Sequence, residues 1–306
     1  SRIRLDRMPV ETELLDPVHL ASIEDYSLLT RIVVDGALPG IHRSQRHGRG
    51  SEFFQYREYA SGDDLKLVDW KVYAKRGELV SKSFQEDTNL TCYLVLDTSA
   101  SMGYRGSRSP CTKLRYACML AACFAYIANR QGDRVGLFAY SDETKAWIQP
   151  RSGTGHMNRV FTELAGLEAE GANDHRSNWD TLSASLPGKS LVVFLSDFLE
   201  AEEELPEHLR FATSARYECL CLQTLDPDEI DLPDSEALRF SEMEGSHEIS
   251  TSPPAIRDDY TAGMNDFLDR LRDNLASVNV EFENLTTDAH LGHALHRFLG
   301  LRYGSL

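Results

Sequence analysis

Several features that mark membrane, secreted or zinc-binding proteins are missing from this sequence of 306 residues. No apolar run approaches the ~20 residues that a membrane-spanning helix needs, and the first residues lack the layout of a signal peptide. The six cysteines include no Cys-x-x-Cys pair, and most of them lie in apolar segments. We therefore expect a cytoplasmic protein with reduced, buried thiols and no zinc site.

Positive charge is also scarce. The 32 Lys and Arg residues face 48 Asp and Glu residues, which gives a formal net charge of −16. Residues 1–88 carry 13 basic and 15 acidic side chains, so residues 89–306 hold most of the excess, a net charge of −14. This balance repels nucleic acid and anionic membranes, and we expect neither as a partner. The arginines Arg43, Arg46 and Arg49 are assigned to ion pairs or partner contacts.

The motifs of common enzymes are absent too. There is no Gly-x-Ser-x-Gly elbow and no His-Glu-x-x-His helix. The segment LPGKS resembles part of a phosphate-binding loop, but Ser183 stands where the first glycine is required. His290, His293 and His296 would fan over about 120° of a helix surface, which predicts a solvated face and not a metal site. These absences favour a non-catalytic protein.

From Leu90 onward, apolar runs alternate with helical patterns. The five runs are LTCYLVL, RVGLFAY, SLVVFL, YECLCLQTL and VNVEFENL. The pattern is typical of parallel strands that are covered on both faces. The clearest helix follows Pro110, two more are predicted over 255–276 and 289–299, and LRFSEMEGSHEIS predicts a hairpin. The predicted fold is α/β, with an open, mostly parallel sheet and helices on both of its faces.

The first 88 residues have a different composition. Asp16 as a cap and Pro17 at the first position predict one helix that runs to about Val34. The segments EFFQYREY, LKLVDWKVYA and ELVSKSF mix aromatic and charged residues, which predicts short strands packed on something else. We therefore expect an N-terminal region over 1–88 that packs on a core domain over 89–306.

Two predicted strands end in an aspartate, Asp97 after LTCYLVL and Asp197 after SLVVFLS. The carboxyl ends of parallel strands meet at one edge of the sheet, where ligands of such folds bind. Ser99 and Ser101 follow Asp97 at alternate positions, so the three side chains point the same way. A turn explains one such motif, but two converging carboxylates repel unless a cation lies between them. Oxygen ligands of this kind suit Mg²⁺, with Mn²⁺ or Ca²⁺ as alternatives.

These residues carry a family resemblance. The segments LVLDTSASMG and LVVFLSDF resemble the first and last elements of the metal-ion-dependent adhesion site of von Willebrand factor type A domains. The stretch from Arg49 to Met102 is more specifically similar to the bacterial domain-of-unknown-function family number fifty-eight, a von Willebrand A-like group. Its Arg-Glu-Tyr, Gly-Asp-Asp and Asp-Trp elements are 57–59, 62–64 and 69–70 here. The likeness continues through RQGDRVGLFAYSD and VEFENLTTD.

The resemblance implies a set of metal ligands. Asp97, Ser99 and Ser101 match the first ligand loop, and Asp197 matches the later aspartate, which often acts through a water molecule. Where relatives have Gly-Gly-Thr-Asp before a helix, this chain has GANDHRSNWDTLSASL, and no threonine is in register. Ser177 is the chosen substitute because the residues after it reproduce the helical spacing, and Asn173 is the alternative.

The resemblance also implies a function. Relatives are associated with MoxR-type AAA+ ATPases and are thought to act as adaptors in the assembly or metal loading of other proteins. At such a site, an acidic side chain of the partner completes the coordination of the metal ion. Two alternatives stay open, a divalent-metal-dependent hydrolase and a metal-free scaffold. No histidine lies in either aspartate motif, so the hydrolase lacks an evident general base.

Overall fold

The structure is a computed structural model. It describes residues 16–37, 53–58, 68, 70–77, 80–84, 90–186, 190–199, 209, 217–233, 238–241, 248–251 and 253–303. The chain divides into two compact units, one formed by Ser1–Pro39 with Leu90–Leu306 and the other by Gly40–Asn89. This division differs from the predicted regions 1–88 and 89–306, because the N-terminal residues belong to the larger unit.

The described helices and strands alternate along most of the chain. The strands are β1 (Phe53–Glu58), β2 (Val80–Phe84), β3 (Thr91–Asp97), β4 (Arg134–Tyr140), β5 (Thr144–Arg151), β6 (Ser190–Ser196), β7 (Glu218–Leu225), β8 (Leu238–Ser241), β9 (Glu248–Thr251) and β10 (Glu281–Thr286). The α-helices are α1 (Pro17–Ala21), α2 (Tyr26–Ala37), α3 (Trp70–Arg76), α4 (Lys113–Arg130), α5 (Thr154–Gly166), α6 (His175–Ser183), α7 (Pro227–Ile230), α8 (Pro253–Ser277) and α9 (Gly292–Tyr303). The alternation is that of an α/β fold.

The larger unit contains a six-stranded sheet in the order β10-β7-β6-β3-β4-β5. All neighbouring strands are parallel except β5, which pairs antiparallel with β4. The chain begins the sheet in the middle, at β3, adds strands on one side and then returns to add strands on the other. The predicted open, mostly parallel sheet is confirmed, and the edge strand β5, which was not predicted, is the antiparallel member.

The two central strands β3 and β6 are buried along their whole length. On one face of the sheet, Tyr93 and Val95 share a hydrophobic core with Trp179 of α6 and Leu271 of α8. Successive residues of a strand point to opposite faces, so Leu94 faces the other layer. That layer contains α4, whose alanines allow a close approach to the sheet.

The N-terminal segment forms two helices instead of the single predicted one. Asp16 caps α1, and its carboxylate accepts a hydrogen bond from the Val18 amide at 2.9 Å. A second helix begins at Tyr26 because the Asp25 carboxylate accepts a hydrogen bond from the Ser27 amide at 2.8 Å and restarts the helix. The Arg115 guanidinium of α4 lies over the Tyr26 ring at 4.6 Å, which attaches α2 to the larger unit.

The segments EFFQYREY and ELVSKSF contain strands β1 and β2 of the smaller unit, as predicted, and the two strands pair antiparallel. The segment LKLVDWKVYA, which was predicted as strand, contains helix α3 instead. Its alanine, two lysines and arginine favour a helix, and this outweighs its aromatic residues. Three of the predictions concern residues outside the described ones. They are the arginines 43, 46 and 49, the Gly-Asp-Asp element 62–64, and most of LPGKS (187–189).

Two further predictions concern the thiols and the hairpin. All six cysteines are free and buried, as expected from their apolar surroundings. Strands β8 and β9 pair antiparallel and form the predicted hairpin. In the described part of the chain, no helix has both the length and the apolarity that a bilayer crossing requires.

Candidate functional site

The loop after β3 brings Asp97, Ser99 and Ser101 together. The Asp97 Oδ1 atom accepts a hydrogen bond from the Ser99 amide at 2.8 Å, which turns the chain back toward the carboxylate. The Ser99 and Ser101 Oγ atoms are 3.1 Å apart. Asp97 and Ser99 are buried, whereas Ser101 is partly exposed. The predicted alternation therefore places one carboxylate and two hydroxyls in a single cluster.

A second segment, residues 170–174, fixes this loop from the side. The Glu170 amide donates to the Thr98 carbonyl at 2.8 Å, and the Ala100 amide donates to the Gly171 carbonyl at 2.8 Å. Gly171 has a φ of +83°, and a Cβ atom on it would lie 2.5 Å from Asp142 Oδ1. A residue with a Cβ atom is strained at this φ, so glycine is suited to this position beside the Asp142 and Ser141 side chains.

Asn173, and not Ser177, is the residue that this segment brings to Asp97. The Asn173 Nδ2 atom donates to Asp97 Oδ2 at 2.6 Å. Ser177 is exposed in the first turn of α6, where its backbone amide donates to the Asp174 carboxylate at 2.9 Å. Of the two residues considered for the threonine position, Asn173 is therefore the one that contacts Asp97, and the assignment of either as a metal ligand stays a prediction.

A histidine lies near the cluster, although neither aspartate motif contains one. The His175 Nε2 atom is 3.0 Å from Asn173 Nδ2, and its Nδ1 atom is 2.7 Å from the Tyr140 hydroxyl. Both ring nitrogens thus have a partner in a chain of groups that ends at Asp97. No local sequence pattern indicates His175, because it is distant from Asp97 in the chain and is connected to it only through Asn173 in the fold.

Asp197 follows β6 at the same edge of the sheet. Ser196, the residue before it, donates to Asp97 Oδ2 at 2.6 Å through its hydroxyl. The next residue, Phe198, has a φ of +50°, a strained conformation for a large side chain, and its ring is buried in the core. This abrupt turn sends Phe198 inward and leaves the Asp197 carboxylate at the edge, where a hydrogen bond from Ser101 stabilises its charge.

The Asp197 carboxylate is paired with a lysine that the sequence analysis did not identify. The Lys113 Nζ atom lies 2.8 Å from Asp197 Oδ2 and 2.6 Å from Glu229 Oε1. The Lys113 side chain is 0% exposed. Lys113 is the first residue of α4, where the helix dipole disfavours a cation. A lysine in the first turn of a largely buried helix indicates that an acidic side chain lies nearby, and this was the one feature of the sequence that could have identified the pair.

The two aspartates therefore have opposite electrostatic surroundings. Burial, together with the charge of Asp197, raises the pKa of Asp97 from its ordinary 3.8 to about 7. Burial alone would also raise the pKa of Asp197, but the charge and hydrogen bond of Lys113 outweigh it and the pKa is lowered. In the described part of the chain, no basic side chain forms an ion pair with Asp97.

The groups around Asp97 fit a hard divalent cation. They are the Asp97 carboxylate and the hydroxyls of Ser99 and Ser101, all oxygen donors of the kind that Mg²⁺ prefers. The Asp197 carboxylate lies at the same edge but is paired with Lys113, and Asn173 presents its NH₂ group to Asp97. Among the described residues, no three His, Cys, Asp or Glu side chains converge as a metal cluster. A cation site formed by these described residues would therefore need the serine hydroxyls among its ligands.

The strand order and the loop after the first strand of the sheet define the class of this protein. A mostly parallel sheet with one antiparallel edge, and the motif Asp97-x-Ser99-x-Ser101 at its carboxyl end, is that of a von Willebrand factor A-like domain. The chain belongs to the family described as "Protein of unknown function DUF58", whose model matches residues 55–267. The family resemblance found in the sequence is thereby confirmed.

Several known proteins are similar to this chain. The uncharacterized proteins Rv1480 of Mycobacterium tuberculosis and Mb1516 of Mycobacterium bovis are each 29% identical over 250 residues, which cover 80% of this chain and 77% of theirs. The solved structure of the conserved hypothetical protein BatB from Bacteroides thetaiotaomicron is 13% identical, with a TM-score of 0.49, over 71% of this chain and 100% of that one. The SpRpn10 VWA domain is 10% identical, with a TM-score of 0.44, over 69% and 95%. These two structural likenesses are too distant to transfer a function.

Proposed function

We propose that this chain is a non-catalytic protein-interaction module that docks an acidic partner through a divalent cation held at Asp97, Ser99 and Ser101. The observation that carries the proposal is the Asp97 carboxylate. It is fully buried beside Asp197, and its hydrogen-bond donors are neutral groups. A buried carboxylate in such surroundings is stabilised by a nearby positive charge.

The residues of the chain prepare this place for a cation. The Ser99 amide, the Ser196 hydroxyl and the Asn173 amide group hold both oxygens of Asp97 in a fixed orientation. Ser99 and Ser101 place two further oxygens beside them. A bound Mg²⁺ would supply a positive charge and a coordination position for a carboxylate of the partner.

The solvent-exposed rim of the site suits contact with another protein. Ser101 and Asn173 are partly exposed, and the neighbouring residues 170–172 are exposed. The backbone of this segment is hydrogen-bonded to the metal-ligand loop, so the rim is held in place before a partner arrives. A preorganised surface loses little conformational entropy on binding.

The identity of the partner rests on the family. Members of the family that the sequence resembles are associated with MoxR-type AAA+ ATPases, so an ATPase of this type is the proposed partner, in the assembly or maturation of other proteins. The acidic charge of the chain, −16, also supports a protein partner over nucleic acid. The cytoplasmic location expected from the sequence stays part of the proposal.

The hydrolase alternative now has a histidine near Asp97, but its geometry does not favour catalysis. His175 has a hydrogen-bond partner at each ring nitrogen, the Tyr140 hydroxyl at 2.7 Å and Asn173 at 3.0 Å. A general base needs a nitrogen that reaches the proton to be removed. His175 is better suited to orient Asn173, which supports a binding site over an active site.

Calorimetry with Mg²⁺ alone tests the metal first. The wild-type chain should release or take up heat on Mg²⁺ binding, and Asp97→Ala should abolish it with an unchanged circular dichroism spectrum. Asp180→Ala is the matched control, because Asp180 is an exposed aspartate of α6 whose loss should leave the heat unchanged. No heat with the wild-type chain would favour the metal-free scaffold.

A pull-down with a purified MoxR-type ATPase then tests the docking. Capture should require Mg²⁺, disappear in EDTA and disappear with Asp97→Ala, while Asp180→Ala retains it. Unchanged capture in EDTA would refute metal-dependent docking. Turnover of phosphoester substrates with Mg²⁺ or Mn²⁺, if it is lost with Asp97→Ala, would establish the hydrolase alternative instead.

A further inference from the structure

Lys113 is a buried cation that the proposed function does not use. Its ammonium group contacts Asp197 Oδ2 at 2.8 Å and Glu229 Oε1 at 2.6 Å, and its side chain is inaccessible to solvent. The Tyr104 ring centroid, 5.9 Å from Nζ, flanks the charge. Transfer of an ammonium group out of water is costly unless anions compensate it, and here two carboxylates do so.

Both acidic residues are held in place by other groups. The Gln223 side-chain amide donates to the backbone carbonyl of Asp197 at 2.7 Å, and the Asp226 backbone amide donates to the second carboxylate oxygen of Glu229 at 2.7 Å. Glu229 belongs to the capping box at the start of α7. Lys113 thus joins the ends of β6 and β7 to the start of α4, which is the position of a bridging cation.

We propose that Lys113 is a built-in counter-ion that replaces a metal ion on the Asp197 side of the site. Its single positive charge is shared by Asp197 and Glu229, so the chain itself supplies a counter-ion at this place and the fold does not depend on a divalent cation there. The inference rests on the proposed function in one respect, that the docking cation belongs to the Asp97 side. Two different cations then have two roles. The Lys113 ammonium group, which cannot leave, balances charge in the fold, and an exchangeable divalent cation at Asp97 serves docking.

The geometry supports this separation. Asp197 Oδ2 is engaged by the ammonium group, while its other oxygen lies 3.4 Å from the Leu199 amide. Asp97 is not within ion-pair distance of Lys113 in the described structure, and its donors are neutral. The ammonium group therefore pairs with Asp197 and Glu229 and not with Asp97, the carboxylate that belongs to the serine cluster.

Thermal unfolding of Lys113→Met in EDTA and in millimolar MgCl₂ tests the proposal. The wild-type midpoint should rise less with Mg²⁺ than that of the variant, because its Asp197 and Glu229 carboxylates are already paired with Lys113. Lys113→Met should unfold well below the wild type in EDTA and regain about 5 °C or more with Mg²⁺, because the ion compensates the carboxylate pair that has lost its lysine. A lysine with only a packing role would give the same loss in both buffers.

A second pair of variants keeps the test decisive. Lys113→Met/Asp197→Asn lacks the carboxylate that a metal ion would need, and it should lose the gain from Mg²⁺. If Lys113→Met does not fold, Lys113→Met/Glu229→Gln removes one of the two unpaired charges and should show the same gain. The proposal is wrong if neither Lys113→Met nor this double variant is stabilised by Mg²⁺ more than the wild type.

These outcomes separate the inference from the proposed function. A wild-type chain without Mg²⁺ binding, together with a Lys113→Met variant that gains stability from Mg²⁺, would refute metal-dependent docking and support the counter-ion. A wild-type chain that binds Mg²⁺ and docks its partner, together with a Lys113→Met variant that gains no stability from Mg²⁺, would support metal-dependent docking and refute the counter-ion.

Discussion

The two aspartates at the carboxyl edge of the sheet are chemically alike and electrostatically opposite. Asp97 is surrounded by neutral donors and two serine hydroxyls, and its pKa is raised to about 7. Asp197 is paired with the Lys113 ammonium group, and its pKa is lowered. A shared motif position therefore does not imply a shared role, and the role of each carboxylate is set by the residues that the fold places beside it.

Substitution of each aspartate by asparagine should change the free energy of unfolding in opposite directions. The difference between Asp97→Asn and Asp197→Asn is the largest effect that we expect. In EDTA at pH 8, Asp197→Asn should lower the free energy of unfolding by about 2 kcal/mol, because Lys113 loses a charged partner. Asp97→Asn should raise it by about 1 kcal/mol, because an ionised, uncompensated carboxylate is removed. Urea denaturation measures both, and changes of the same sign would remove the distinction between the two sides.

The pH dependence sharpens this prediction. The folded-state pKa of Asp97 is raised, so its stabilising protonated form is present at low pH and is lost as the pH rises from about 4 to about 7. The gain from Asp97→Asn should therefore be absent near pH 4 and complete above pH 7. The lowered pKa of Asp197 has the opposite consequence, so the loss from Asp197→Asn should persist until the pH falls below its ordinary 3.8.

Gly171→Ala tests the backbone contacts of the Asp97 side and should have an intermediate effect. The φ of +83°, which strains any residue with a Cβ atom, predicts a loss of about 1–2 kcal/mol and weaker Mg²⁺ binding, whereas the exposed Asp142 side chain can move away from the added atom. Gly155→Ala is the matched control, since nothing lies within 4 Å of its added Cβ atom. The control should be neutral or slightly stabilising, and equal losses in the two variants would contradict the role given to Gly171.

The smallest expected effect distinguishes Asn173 from Ser177. Asn173→Ala removes a 2.6 Å hydrogen bond to Asp97 and should weaken Mg²⁺ binding about fivefold, which corresponds to about 1 kcal/mol. Ser177→Ala changes an exposed side chain and should alter the affinity by less than about twofold. Calorimetry measures both, and a larger effect of Ser177→Ala would support the original assignment of the missing threonine.

Much of the larger unit was predictable because its strands are continuous apolar runs that end in Asp97 and Asp197. Buried parallel strands leave this signal in any single sequence. The edge strand β5 was missed because its sequence, TKAWIQPR, is only partly buried and contains a proline. The helix α3 was misread since aromatic and β-branched residues such as Trp70 and Val72 favour strands when their packing is unknown.

The site was predictable only where its residues are close in the chain. Asp97, Ser99 and Ser101 follow one another after β3, and their cluster follows from local geometry. Lys113 and Glu229 are 116 positions apart and meet only through the order of the strands. A lysine at a helix start indicates a need for acidic partners, but no local pattern identifies which acids will meet it.

The buried thiols can be used to measure local opening of the fold. All six cysteines are free and buried, and burial raises the pKa of Cys118 and of Cys219 to about 12. The thiolate is the form that reacts with alkylating reagents, so labelling in native buffer requires that the surrounding layers separate. The rate of that labelling would measure how often the helices separate from the sheet, without any engineered cysteine.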